Sequence, residues 1–455
     1  MSYHPGGAPA AVRSRERLVP CRYATGTRSM EPSMGFTRDG RILFQGWALR
    51  SGAVDGAPLR PVVMRSSRDF TRWTDVSPGP AAPVSSLDPF LIVDRRTGRA
   101  FSVNFLANGQ PNCSTIAASD DAGDHWSASP LACNGFDGES IGAGPPVTSR
   151  PIGYPDLVYY CTGTTPGSSQ PTTTPVCSKS IDGGRTFLPT GTLPWPLIDP
   201  SAENDKFGPW VGDPIVGADG AVYLPKRFAG QPEVAISRDE GLTWTRVQVA
   251  HNGAGGETPR MAVDGAGNLF YAWSGGDHLP YLAASRDGGR HWSAPLPLAP
   301  RGLREGELPW PATAGRGRVE VAYLGSTDAP GKAPYYDYCN YLLSPCDDGA
   351  YAHVTWNGYM TVVDDAFATD PVLQTATVNP PGRPLFTGGC SADGACKADL
   401  DFIGAQYSPA GEPFAAFSDD CMLTRDFIPV FGQDFGPCAD NLGEGVVGRL
   451  VRRGR

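Results

Sequence analysis

The sequence predicts an all-β chain that closes into a seven-bladed β-propeller, with a six-bladed ring as the competing count. Three observations carry this. Five short segments, at 67–73, 119–126, 180–187, 237–244 and 285–292, are copies of the pattern S-x-D-x-G-x-[TH]-[WF], the first worn and one residue short. Their starts lie about 50–60 residues apart, the period of an architecture with one supersecondary unit per repeat. Gly (57) and Pro (45) together exceed a fifth of the 455 residues, which suits many short strands joined by turns. Finally, a second unit opens seven times: an acidic or polar residue, often Pro, then a strand, a Gly turn and another strand.

Each copy reads as the hairpin between two strands of a blade. The third-position carboxylates, Asp121, Asp182, Asp239 and Asp287, can accept N–H groups of their own turn. Gly at the fifth position supplies the positive φ that a tight hairpin needs. The closing Trp or Phe is a large apolar plug. These Asp residues are therefore read as structural, not as catalytic or calcium-binding.

The seven openings follow in order. Glu31-Pro32 leads into 34–36, the Asp39-Gly40 turn and 42–44. Asp88-Pro89 leads into 90–93 and 100–103. Pro145-Pro146 opens the third unit, with 157–160. Asp213-Pro214 leads into 215–216, Asp219-Gly220 and 222–224. Glu257 and Pro259 precede 261–263 and 269–273. Residues 308–311 open a sixth unit with 319–324, and Asp399 and Asp401 a seventh with 402–405 and 414–417. The last two units have lost the box, and the sixth carries an insertion at 326–349. One blade cannot bury both its faces, but a ring of blades buries them and protects the edges. Residues 15–27 are expected to close the ring as a strand of the last blade. Residues 1–14 are expected to form a flexible tail before a single domain, 15–455.

Net charge is −9 with no basic run, which argues against nucleic acid. No stretch approaches a transmembrane span. Eleven cysteines fall mostly in close pairs: Cys113/Cys133, Cys161/Cys177, Cys339/Cys346, Cys390/Cys396 and Cys421/Cys438, with Cys21 left over. None has C-x-x-C spacing. Short disulfides are expected, with Cys21 near Cys421 or Cys438 if the N-terminal strand closes the ring; buried free thiols are the alternative. Disulfides imply an oxidising compartment, hence secretion, although 1–26 contains no apolar h-region. A closed ring of this kind is expected to be a monomer.

Glu31, Asp88, Asp213, Glu257 and Asp401 sit where the first strand of a blade begins. They are expected to gather at one mouth of the central channel, away from the boxes. Carboxylates there can bind a cation such as calcium, bind hydroxyl-rich ligands, or supply acid and base. Arg260, an odd number of positions from Glu257, should point to the other face of its strand. A cation or a sugar hydroxyl network is therefore expected to neutralise the acids.

The boxes resemble the Asp-box, or BNR, repeat of sialidase-like propellers. The segment from Val222 through the fourth box to Glu257 and 268–271 is similar to the sialidase pattern, which implies that Glu257 takes the place of the family's Glu. Asp55 lies near the family's acid/base position. Other positions depart from the family. Ser29-Met30-Glu31-Pro32 lacks the Arg expected there, and Arg28 is out of register. Trp273 stands where an Arg should end the strand and is taken instead as a ligand contact. The nucleophilic Tyr falls near Ala398, and Tyr407 lies too far along. The resemblance implies a carbohydrate-directed propeller, and as an enzyme a glycoside hydrolase of altered specificity using Glu257, Asp213 and Asp55. Non-catalytic glycan or protein binding and a purely structural role remain open, and release of sialic acid is not expected.

Overall fold

The computed structural model describes residues 18–48, 60–79, 89–106, 113–128, 137–163, 176–196, 211–329, 354–387, 403–419 and 443–452. These contain twenty-eight strands and no α-helix. Blade 1 is built from the second half of β1 (Leu18–Phe36) with β2 (Ile42–Ala48), β3 (Arg60–Ser66) and β4 (Trp73–Asp75). Blade 2 holds β5 (Phe90–Val93), β6 (Ala100–Leu106), β7 (Cys113–Ser119) and β8 (Ser127–Ala128). Blade 3 holds β9 (Asp137–Gly144), β10 (Leu157–Gly163), β11 (Val176–Ser180) and β12 (Leu188–Pro189). Blade 4 holds β13 (Ile215–Val216), β14 (Val222–Phe228), β15 (Gln231–Ser237) and β16 (Thr245–Gln248). Blade 5 holds β17 (Gly255–Val263), β18 (Leu269–Ser274), β19 (Pro280–Ser285) and β20 (Leu296–Pro297). Blade 6 holds β21 (Glu305–Gly315), β22 (Arg318–Ser326), β23 (Thr355–Val363) and β24 (Leu373–Thr377), with β25 (Phe386–Thr387) paired to β23. Blade 7 holds β26 (Gly404–Tyr407), β27 (Pro413–Asp419), β28 (Gly443–Arg452) and the first half of β1. The ring has seven blades.

β1 belongs to two blades. Leu18 to Ala24 pair with Arg452 to Val446 as the outer strand of blade 7. The same strand then pairs Met34 with Phe44 as the inner strand of blade 1. Side chains reinforce the seam. Arg22 forms an ion pair with Asp419. Phe414 of blade 7 meets the rings of Phe36 and Phe70 edge-on, each at 5.0 Å between centroids. Phe70 comes from the worn first copy of the repeated segment.

All five repeated segments lie between the third and fourth strands of their blades. In the four full copies the Ser hydroxyl accepts the N–H of the fifth-position Gly at 2.8–3.0 Å. The Asp carboxylate accepts the seventh residue's N–H at 2.8–3.0 Å and a hydrogen bond to its Thr hydroxyl or His ring at 2.6 Å. These carboxylates are held by their own turns. A related clamp occurs at the opposite end of blade 6. There Asp328 accepts the Thr355 N–H at 3.0 Å and its hydroxyl at 2.8 Å, closing the base of the insertion.

One turn also locks two blades together. Glu240, at positive φ in the fourth copy, accepts N–H groups of Val147, Thr148 and Ser149 at 2.6–2.8 Å and the Lys179 ammonium at 2.9 Å. Although burial opposes ionisation, these donors hold its carboxyl well below the ordinary range.

The Cys161–Cys177 disulfide joins directly opposed residues of β10 and β11. Cys21 is a free thiol, half-buried. Cys133, Cys339, Cys346, Cys390, Cys396, Cys421 and Cys438 lie outside the described residues, as does the side chain of Cys113.

Two predictions follow from these locks. Glu240→Gln should cost about 2–4 kcal/mol at neutral pH, because three N–H groups and an ammonium lose their anion. A depressed folded pKa contributes stability above the unfolded value of 4.5 that is lost as pH falls. The variant should therefore show a shallower loss of stability below that pH; identical acid limbs in denaturant titrations would refute the lock. Replacing Cys161 and Cys177 together by Ala should cost about 2–4 kcal/mol, read from the same unfolding curves.

Candidate functional site at the channel mouth

The seven inner strands surround a central cavity of about 390 Å³. Its middle is apolar, lined by residues such as Met34, Leu91, Ile141, Met261 and Ala405. Asp213 and Trp310 line it towards the end where the inner strands begin. This end is opposite the repeated turns, since each box follows the third strand of an antiparallel blade.

The mouth depends on how closely neighbouring inner strands approach. A Cβ on Gly142 would lie 1.9 Å from the Pro214 carbonyl oxygen, and one on Gly212 would lie 2.3 Å from that of Pro259. Only glycine permits this separation. Asp213 follows Gly212 and Arg260 follows Pro259, so the contact that draws blades 4 and 5 together also brings their charges together. The Arg260 guanidinium donates to Asp213 Oδ1 at 2.8 Å. Its Cζ lies 4.5 Å from the centroid of Trp310 on blade 6, within cation–π range. Asp213 and Arg260 are each 8% exposed. Burial raises the Asp213 pKa to about 6, outweighing the opposing pull of Arg260.

Arg260 thus meets Asp213 of the neighbouring blade; whether it faces away from Glu257, as expected, rests on a side chain outside the described residues. Period-2 alternation fails because the β17–β18 register shifts between Gly255 and Arg260, where five residues of advance oppose two. Similar shifts occur around Glu31-Pro32 in β1 and Leu308-Pro309 in β21, and Glu31 and Leu308 both take positive φ. Proline withholds the ladder N–H at each place. The Arg260 guanidinium therefore meets the Asp213 charge.

Glu31 is buried within β1, at the mouth where the strand passes from blade 7 to blade 1. Glu257 lies in β17, and only its backbone is described. Asp55, Asp88 and Asp401 lie outside the described residues. Trp273 is corrected: it is fully buried in β18, stacked on Tyr281, with its indole N–H donated to Gly253 O at 3.1 Å. It offers a ligand no surface; among the described residues Trp310 is the tryptophan that reaches the cavity. Tyr407 stands at the far end of β26, buried beside the blade 6 residues Arg318 and Glu320.

The sequence reading missed Glu139, Glu305, Glu307 and Lys226, all buried toward the mouth ends of their strands. Ser274 on β18 donates to the Gly306 carbonyl at 2.7 Å, and its oxygen lies 3.4 Å from Glu307. The signal available was Glu305-Gly306-Glu307, just ahead of Leu308-Pro309. Among the described residues no group of three or more His, Cys, Asp or Glu side chains is placed to hold a metal ion.

Replacing Gly212 by Ala should force blades 4 and 5 apart. The Asp213–Arg260 contact would lengthen and the Asp213 pKa would rise above about 6. Carboxylate NMR titration of the parent and G212A checks this; an unchanged pKa would refute the coupling between backbone approach and ion pair.

No family model matches the chain. No curated protein matches it either. Among solved structures it is similar to a protein of unknown function from Dyadobacter fermentans, at 14% identity and a TM-score of 0.46, over 97% of this chain and 99% of that one. It is similar to an intramolecular trans-sialidase from Ruminococcus gnavus, solved with oseltamivir carboxylate, at 15% identity and a TM-score of 0.39, over 94% and 96% of the two chains. An α-L-arabinanase from Penicillium chrysogenum, solved with arabinobiose, is similar at 10% identity and a TM-score of 0.40, over 81% and 98%. Likenesses this distant carry no argument about chemistry, which rests here on the chain's own residues.

Proposed function

We propose that the channel mouth takes a carbohydrate and that the protein is a secreted glycoside hydrolase of altered specificity. The observation that carries this reading is Asp213: a buried carboxylate titrating near 6, set beside a guanidinium and an indole face at the mouth of a cavity. A carboxyl with a raised pKa can keep a proton to donate to a departing glycosidic oxygen. Sugars present hydroxyls to charged groups and C–H faces to aromatic rings, and this mouth has both. Glu257, two residues before Pro259 on the adjacent blade, is the proposed second carboxylate, and Asp55 a further acid/base candidate. Glu31, Asp88 and Asp401 are proposed to contact the ligand. The Cys161–Cys177 bond supports an oxidising compartment. No helix among the described residues is long and apolar enough to cross a membrane.

A second reading, carbohydrate binding without turnover, is favoured by one observation: the Asp213 charge is already met by Arg260.

The test is a hydrolysis screen over aryl glycosides and oligosaccharides, run beside calorimetric binding. The parent should cleave at least one substrate, with a rate that falls as pH rises above about 6. D213N should lose 100-fold or more in kcat, of the order expected for a general acid, with unchanged circular dichroism; E257Q should also lose turnover. Binding without cleavage would select the second reading. A parent that neither binds nor cleaves any carbohydrate, or a D213N protein as active as the parent, would overturn the first.

A further inference from the structure

A second concavity lies away from the channel. It is a groove of about 1300 Å³ on the side of blades 4 and 5. This is larger than the about 300–1,000 Å³ of sites for drug-sized ligands, so it suits an extended chain. It reaches from the fifth repeated turn, at Arg290 and Trp292, to the loops on the mouth side, at His251 and Asp277. Its far wall is the segment around β20, ending at Arg301.

The charge of this groove is opposite to that of the molecule. The chain carries a net −9. Yet Arg290, Arg301 and His251 are exposed along the groove, and none of the three makes an ion pair among the described residues. Asp277, the one carboxylate lining it among the described residues, accepts the Tyr281 hydroxyl at 2.7 Å. Two free guanidiniums are forks suited to bidentate binding of carboxylates.

The backbone argues against a peptide strand. β20, the edge beside the groove, is two residues long, and Pro295, Pro297 and Pro300 remove ladder donors along that wall. What remains are flat surfaces, the half-buried Trp292 ring and the prolines, between separated positive charges. We infer that this groove binds an acidic oligosaccharide, a chain whose carboxylates meet Arg290 and Arg301 while its C–H faces lie on Trp292 and the prolines. The site is independent of the mouth and stands whether or not the mouth reading does.

The test follows the Trp292 indole resonance by NMR of the full chain during titration. The probes are a galacturonate tetrasaccharide, its fully methyl-esterified form and hexaglutamate. The acidic sugar should shift the resonance and lose at least tenfold in affinity from about 0.02 M to about 1 M salt. Both the ester and the R290Q/R301Q double variant should weaken binding at least tenfold, while D213N should leave it unchanged. No shift with the tetrasaccharide, equal binding of the ester, or undiminished binding by the double variant would overturn the proposal. Hexaglutamate binding as tightly would overturn the choice of a saccharide, and loss in D213N would overturn a separate site.

Discussion

The structure depends on one strand that belongs to two blades. A blade of four short strands buries its faces only against its neighbours, so a ring open at one seam exposes two apolar faces and two unpaired edges. β1 removes that seam covalently. Its first half completes blade 7 against β28, and its second half begins blade 1 against β2. The rings of Phe36, Phe70 and Phe414 then fill the junction. Because Phe70 comes from the worn repeat, that turn serves closure as well as its own hairpin.

Closure has a chemical consequence. The mouth is assembled from consecutive blades: Asp213 from blade 4, Arg260 from blade 5 and Trp310 from blade 6. None of these contacts can exist within one repeat. They require inner strands to approach until backbone meets backbone, which Gly142 and Gly212 allow against Pro214 and Pro259. Asp213 is nonetheless buried deeply enough that its pKa is raised even with a guanidinium beside it. Fold and chemistry are therefore joined at a backbone contact rather than at a side chain that could be exchanged freely.

Much of the ring was legible because its signals are local. The repeated Ser, Asp and Gly make their bonds within seven residues, so each hairpin is written in one segment. The seven openings and the closing strand follow from counting such units. The site was less legible. The pairing of Arg260 with Asp213 was not legible because it joins two blades and follows a register shift around Pro259 that breaks the alternation on which side-chain direction is read. Trp273 was misjudged because burial of a strand-end tryptophan is decided by its neighbours Tyr281 and Gly253. Glu307 stands two residues before Pro309, the offset of Glu257 from Pro259, and Glu305 four, so neither shares the acid-proline step of Glu31, Asp88 and Asp213. The clamp of Asp328 on Thr355 was hidden by the insertion that separates its halves.

The central claim is that the Asp213–Arg260–Trp310 cluster is where carbohydrate meets this protein. It is tested most directly by following the Arg260 guanidinium N–H and Trp310 indole resonances in isotope-labelled full-length protein while the oligosaccharide that binds best in solution is added. The account predicts that both resonances move together, saturate at the calorimetric affinity and do so with Asp213 intact. Binding that leaves both unchanged while other residues shift would contradict it.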